Sequence, residues 1–145
     1  MINFAVILVK RRHMNRYLSC FFAVAVVFAL CSCGESLEDK SAREVREYTK
    51  DKCPARVSEF LIIDSVTFEK STHTVTYHYT FDGKADNAKL VASIDMREKI
   101  VSEVKNSTSL RKYKDEGYAF AYIYHSASDP ALILFQTTVT KEDYK

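Results

Sequence analysis

Three histidines, His73, His78 and His125, are the residues of the sequence best suited to metal binding or proton transfer. His73 and His78 are five residues apart in a segment whose apolar residues alternate, so on a regular strand they point to opposite faces. His78 and His125 can share a face, but a zinc site needs a third ligand, and no spacing selects Asp64 or Glu69. We therefore predict surface histidines, no metal site and no cofactor.

Motifs of the common enzyme classes are missing from the sequence after residue 33. It has no glycine-rich phosphate loop, no Gly-x-Ser-x-Gly and no Cys-x-x-Cys, and the whole chain holds only three glycines. The carboxylate pairs Asp115-Glu116 and Glu142-Asp143 are interpreted as solvated charges in a turn and a tail. We predict a non-enzymatic protein without catalytic residues, and the alternative is a small enzyme or enzyme inhibitor.

The N-terminal region has the pattern of a secretory signal peptide. A basic cluster, Lys10 to Arg16, precedes the apolar run Tyr17 to Cys33, and no acidic residue occurs before Glu35. The run is shorter than the roughly 20 apolar residues that a membrane-spanning helix needs. We predict a signal peptide over residues 1–32, with Met14 as the true initiator.

The end of this run, Leu30-Cys31-Ser32-Cys33-Gly34, resembles the bacterial lipobox. The resemblance implies cleavage before Cys33 and attachment of acyl chains to Cys33, which then anchor the protein in the membrane. Gly34 resembles the signal for transport to the outer membrane, where the protein would face the periplasm or the surface. An ordinary signal peptide with incidental cysteines and a short membrane anchor are the alternatives.

Removal of residues 1–32 changes the charge and the cysteine content. The remaining chain has 17 Lys and Arg against 19 Asp and Glu, whereas the full chain has a net charge of +2. This acidic balance argues against nucleic acid as a partner. Apart from Cys33, only Cys53 remains, so no internal disulfide is expected. We predict that Cys53 is buried, with intermolecular pairing as the alternative.

The predicted mature chain consists of a lipidated tether, residues 33–40, and one domain, residues 41–145. A Ser-Ala-Arg-Glu capping box predicts that a helix begins at Ser41. Pro54 restricts the residue before it, so the helix should end near Lys52.

The rest of the chain alternates between strand and helix patterns. A second helix is predicted from about Asn87 to Lys105, and a helical turn from Leu110 to Lys114 ends at Gly117. The predicted inward residues of the first strand are Phe60, Ile62, Val66 and Phe68, and those of the second strand are Val75, Tyr77, Tyr79 and Phe81. The inward residues of the second helix are Leu90, Ile94, Val101 and Val104, flanked by Val91 and Ile100. The last two strands are predicted over residues 118–125 and 131–140.

These elements predict an α+β fold, a four-stranded antiparallel sheet in the order α-β-β-α-β-β with helices packed on one face. The whole chain contains nine Tyr and nine Phe. The aromatic stripes of the predicted strands form one face of the sheet, interpreted as core, with a binding platform as the alternative. The other face is polar and open. On it Thr76, His78 and His125 are the candidate binding residues for an envelope protein or a glycan.

The chain resembles the small uncharacterised lipoproteins of Bacteroides-type bacteria. The matching pieces, in order, are Cys53-Pro54, Asp64-Ser65-Val66, Tyr77-His78-Tyr79-Thr80 and Gly117 to Tyr124. A cysteine that those proteins carry near the C-terminus is absent here, where Tyr144 lies. The resemblance implies a location and a fold but no activity. The predicted function is a non-enzymatic binding module anchored by lipid in the outer membrane, with an envelope enzyme, an enzyme inhibitor or a purely structural lipoprotein as alternatives.

Overall fold

The computed structural model describes residues 34–145. The predicted signal peptide, residues 1–32, and the predicted lipid-attachment residue Cys33 lie outside the described residues. The described elements are, in chain order, α1 (Leu37–Lys52), β1 (Ala55–Ser58), β2 (Leu61–Glu69), β3 (Thr74–Phe81), a 3-10 turn (Gly83–Ala85), α2 (Ala88–Ala92), α3 (Met96–Asn106), α4 (Arg111–Asp115), β4 (Ala119–Ser126), β5 (Ile133–Val139) and α5 (Lys141–Tyr144).

The α+β fold is confirmed, but the sheet differs from the predicted four antiparallel strands. It has five strands in the order β1-β2-β3-β4-β5, and β3 and β4 are parallel while the other neighbours are antiparallel. The segment between β3 and β4 holds three helices, which is long enough for the crossover that parallel neighbours require. The additional strand, β1, is four residues long and follows Pro54 directly, so no alternating pattern revealed it.

Helix α1 begins at Leu37, so residues 37–40 belong to the helix and not to a tether. Ser36 caps it by accepting a hydrogen bond from the Asp39 amide at 3.1 Å. The predicted cap, Ser41, lies inside the helix with 2 % of its surface exposed, and its hydroxyl donates to the Leu37 carbonyl at 2.7 Å. Ser36 and Asp39 give this end an earlier capping pattern with acidic residues in the first turn, which the helix dipole favours. The end of the helix at Lys52 is confirmed.

Thr49 joins α1 to the sheet. Its hydroxyl donates to the Val66 carbonyl at 2.8 Å and accepts from the Val66 amide at 2.9 Å. Strand β1 pairs with β2 only as far as Ile63, so Val66 has no strand partner on that side. The Thr49 side chain therefore takes the place of the missing strand.

We expect Thr49→Val to lower the free energy of unfolding by about 2 kcal/mol, because it leaves the amide and the carbonyl of Val66 without partners. Denaturant unfolding of the full chain measures the loss. Thr108→Val, at an exposed threonine of a loop, is the control and should cost under about 0.5 kcal/mol. Equal losses in the two variants would contradict this role of Thr49.

The predicted long helix, Asn87 to Lys105, is two helices, α2 and α3. Asn87 caps α2 by accepting from the amides of Lys89 and Leu90, and Asp95 caps α3 by accepting from the Glu98 amide. The second cap restarts the helix and breaks the predicted stripe. The predicted inward positions of Val101 and Val104 are confirmed, and the flanking Val91 and Ile100 are buried as well. Leu90 and Ile94, also predicted to point inward, are instead 46 % and 40 % exposed.

The core lies on the aromatic face of the sheet, as predicted for β3 and β4. Val75, Tyr77 and Tyr79 of β3 pair in register with Phe120, Tyr122 and Tyr124 of β4, and helices α1 and α3 contribute Val45 and Val104 to the same core.

Strand β2 departs from the predicted alternation. A bulge at Asp64 shifts the register, so Leu61 and Ile63 join Val66 in the core in place of the predicted Phe60 and Ile62.

Candidate binding surfaces of the sheet

The structure places the three predicted open-face residues on one face of the sheet and brings two of them, His78 and His125, together. Thr76 and His78 lie on β3, and Thr80 of the same strand pairs with His125 of β4. The rings of His78 and His125 stack with their centroids 6.5 Å apart. Each histidine has another neighbour, since His78 Nε2 is 3.4 Å from the Thr67 hydroxyl and His125 Nδ1 is 3.1 Å from the Pro130 carbonyl.

His73 lies apart from His78, but not on the regular strand that the prediction assumed. It stands in the turn before β3 with a φ of 49°, stacks on the Tyr118 ring at 5.2 Å, and places Nε2 3.3 Å from Glu38. Within residues 34–145 no three His, Cys, Asp or Glu side chains are grouped so that they could hold a metal ion. The absence of a metal site in the whole chain remains a prediction.

The environment of His78 lowers its pKa. Burial is the main cause and the neighbouring His125 adds to it, while Asp64 acts in the opposite direction. As the pH falls through about 6.5, the unfolded chain takes up this proton before the folded protein does. The depressed pKa therefore lowers stability under acidic conditions.

We expect the free energy of unfolding to decrease between pH 7 and pH 5, and His78→Gln to reduce this decrease, because glutamine does not titrate. Denaturant unfolding at the two pH values measures the effect. His73→Gln controls for the removal of a histidine, and an unchanged pH dependence in His78→Gln would show that other groups cause it.

Cys53 is half-buried at the end of α1, and the peptide bond to Pro54 is cis. Burial, followed by the charge of Asp64, raises the pKa of the Cys53 thiol. The thiol is therefore poorly suited to act as a nucleophile.

The aromatic face, interpreted from sequence as core, is only partly covered. A cleft of about 300 Å³ opens between α1 and α4 above β2, β3 and β4. We call it the tyrosine cleft; its lining is mostly apolar and aromatic, with Ser41, Glu44, Val45 and Tyr48 from α1, Val66, Val75, Tyr77 and Phe120 from the strands, and Leu110 and Tyr113 from the α4 region.

The walls of the tyrosine cleft are held by specific contacts. The Tyr113 hydroxyl donates to Glu44 Oε2 at 2.7 Å and links α4 to α1 across the cleft. Burial, this hydrogen bond and the Glu44 charge raise the pKa of Tyr113 to about 12. Tyr48 of α1 remains 45 % exposed, which leaves a large aromatic ring available to a ligand.

Beside the cleft, the tyrosines of β3 and β4 form two stacked pairs. Tyr77 stacks on Tyr122 at 5.1 Å and Tyr79 on Tyr124 at 5.0 Å. Burial is the main cause that raises the pKa of all four phenols. Of these four tyrosines, Tyr77 lines the tyrosine cleft.

Sequence reasoning missed Tyr48, Tyr113 and Glu44 as site residues. The sequence did contain one signal, the thin apolar stripe of α1. Its two residues, Val45 and Tyr48, are not enough to cover an aromatic face of a sheet, which indicates that part of this face stays open. The link between Tyr113 and Glu44 joins residues 69 positions apart and leaves no local pattern.

The described part of the chain has no helix that is both long and apolar enough to cross a membrane.

Residues 36–135 match the model of a family described as a domain of unknown function (DUF8479). The chain belongs to this family. The match covers α1 to the first three residues of β5 and so includes the residues of the tyrosine cleft and Thr76, His78 and His125 of the open face. No curated protein matches the sequence.

Three solved structures are similar in fold. A protein of Pseudomonas aeruginosa described by its authors as a presumed secreted protein has a TM-score of 0.60 at 14 % identity, over 77 % of this chain and 100 % of that one. The pilotin EpsS of the type 2 secretion system of Vibrio vulnificus has a TM-score of 0.54 at 13 % identity, over 75 % and 92 %. The type II secretion system pilotin AspS of Vibrio cholerae has a TM-score of 0.52 at 18 % identity, over 74 % and 91 %. At these identities the likeness shows the fold alone.

Proposed function

We propose that this protein is a lipoprotein of the bacterial cell envelope that acts as a non-enzymatic binding module. Cys33 carries the lipid anchor in the outer membrane, and the tyrosine cleft holds an apolar segment of a partner protein. The lipobox-like segment before Gly34 and the resemblance to Bacteroides-type lipoproteins support the anchor. The fold shared with two pilotins, components of a secretion system, favours a protein as the partner.

The tyrosine cleft is the observation that carries the proposal. It is concave and lined mainly by apolar and aromatic side chains, as ligand sites usually are. The half-exposed Tyr48 ring can pack on an apolar side chain, since tyrosines commonly anchor interfaces. The Tyr77 hydroxyl, in the lining of the cleft, can bond a backbone group of the bound segment.

The open face is the weaker candidate for the binding surface. Its stacked histidines have neighbours in Thr67 and Pro130, and Thr80 donates to Asp64 at 2.8 Å. Thr76, His78 and His125 do not line the tyrosine cleft. An envelope enzyme or enzyme inhibitor that uses this face remains the alternative function.

Crosslinking in living cells tests the cleft. A photoreactive amino acid replaces Tyr48 in one strain and Gln136, an exposed residue of β5 paired with Ile123 next to His78, in the other. We expect a defined envelope protein to be captured from position 48 and lost when Val45→Glu is added. Capture from position 136 alone would favour the open face and overturn the proposal.

The mass of the protein purified from its native membrane tests the anchor separately. We expect a polypeptide that begins at Cys33 and carries acyl groups on this residue. This species should be absent from cells that express Cys33→Ala. An uncut chain, or one cut elsewhere without lipid, would exclude the lipoprotein and leave the cleft proposal standing on its own test.

A further inference from the structure

A second recess, of about 580 Å³, lies where the end of α3, helix α4 and helix α5 meet. We call it the basic recess after its five cationic residues: Lys105, Arg111, Lys114, Lys141 and Lys145. Asp115 is the one carboxylate side chain among the described residues that line it. Residues 33–145 contain more carboxylates than cations, so this surface has a charge of the opposite sign to the chain.

The floor of the basic recess is fixed by the fold. The Lys114 ammonium donates to the carbonyls of Val104 and Lys105, both at 2.8 Å, and so satisfies the C-terminal end of α3. The Tyr144 hydroxyl donates to the Tyr118 carbonyl at 2.7 Å and holds α5 in place. These contacts hold the surrounding cations at a concave surface.

Three of the remaining cations form no ion pair within residues 34–145, whereas Lys145 interacts with the charge of Glu142. In the part of the chain that the structure describes, no ion pair includes Lys105, Arg111 or Lys141. Lys141 lies across the backbone of Gly117, where an added Cβ would stand 3.4 Å from its Cδ. Like charges repel when they are gathered in one recess, and an anion that binds between them relieves the repulsion.

The side chains that line the basic recess have donors that fit a phosphate group. Arg111 offers a planar fork of donors that matches phosphate oxygens, and the lysines add point charges. The Ser107 and Thr108 side chains add neutral hydroxyls at the same recess. We propose that the basic recess is a binding site for a phosphate-bearing anion, which is independent of the tyrosine cleft and of its ligand.

Calorimetric titration of the full chain at constant ionic strength tests this site. The probes are inorganic phosphate, pyrophosphate and a short-chain phosphatidylglycerol kept below its micelle concentration. We expect saturable binding of at least one probe, weakened about tenfold or more by Arg111→Gln and by Lys105→Gln. Lys112→Gln is the matched control, because Lys112 is the next residue of α4, is exposed, and does not line the recess.

The three probes distinguish the two sources of the phosphate group. Tighter binding of phosphatidylglycerol assigns the site to lipid headgroups, and tighter binding of pyrophosphate or phosphate assigns it to a soluble ligand; both support the proposal. No saturable binding of any probe would overturn it. Equal affinities in Arg111→Gln, Lys105→Gln and Lys112→Gln would overturn it as well.

Discussion

Replacing Phe120 by alanine should lower the free energy of unfolding by about 3–5 kcal/mol, because it removes a fully buried aromatic ring from the centre of the sheet. Phe120 has 0 % of its surface exposed and lies between Val75 of β3 and Val139 of β5 in the register of β4. Its ring also packs against Tyr144 at 6.1 Å. A loss of this size is a large part of the stability of a typical domain.

Denaturant unfolding of the full chain measures the effect of Phe120→Ala. Leu132→Ala is the matched control, since Leu132 is a large apolar side chain that is 45 % exposed before β5. We expect the control to cost less than about 0.5 kcal/mol. Similar losses in both variants would mean that β4 does not occupy the centre of the core.

The second large effect is a loss of stability at alkaline pH that depends on Tyr124. Burial, followed by the charge of Glu103, raises the pKa of Tyr124 to about 12. An unfolded tyrosine loses its proton near pH 10, so above that pH the folded protein binds more protons than the unfolded chain. Stability therefore falls as the pH rises from 10 to 12, by up to about 3 kcal/mol for this residue.

Tyr124→Phe should reduce the loss of stability above pH 10, because phenylalanine has no proton to lose. Denaturant titration at pH 8 and at alkaline pH measures the free energy of unfolding of both proteins, and the loss between the two pH values is compared. Tyr48→Phe, at the exposed ring of α1, controls for the removal of a hydroxyl. The explanation fails if both variants keep the alkaline behaviour of the unsubstituted protein.

Local patterns predicted the elements of this fold better than their arrangement. The alternation of Tyr77 and Tyr79 identified β3 and its core face, and Pro54 correctly marked the end of α1. The bulge at Asp64 shifts the inward residues of β2 by one position. The second cap at Asp95 divides the predicted long helix and leaves Leu90 and Ile94 exposed. Strand direction depends on pairing between distant segments, which periodicity does not encode.

The candidate site was predicted only in part. The sequence placed Thr76, His78 and His125 on one face, and of these the structure brings His78 and His125 together. The tyrosine cleft depends on where α1 and α4 stand above the sheet, and the contact between Tyr113 and Glu44 that sets this spacing joins distant parts of the chain. An aromatic stripe in the sequence does not determine whether the helices cover that face of the sheet completely or leave a cleft.

The central claim is that the tyrosine cleft binds a segment of a partner protein. The most direct test measures the affinity of the segment captured at position 48 for two single variants of this protein. We predict that Tyr48→Ala weakens binding by about tenfold or more, as for an aromatic anchor of an interface, and that His78→Ala leaves it unchanged. Weaker binding by His78→Ala together with normal binding by Tyr48→Ala would contradict the claim and place the ligand on the open face of the sheet.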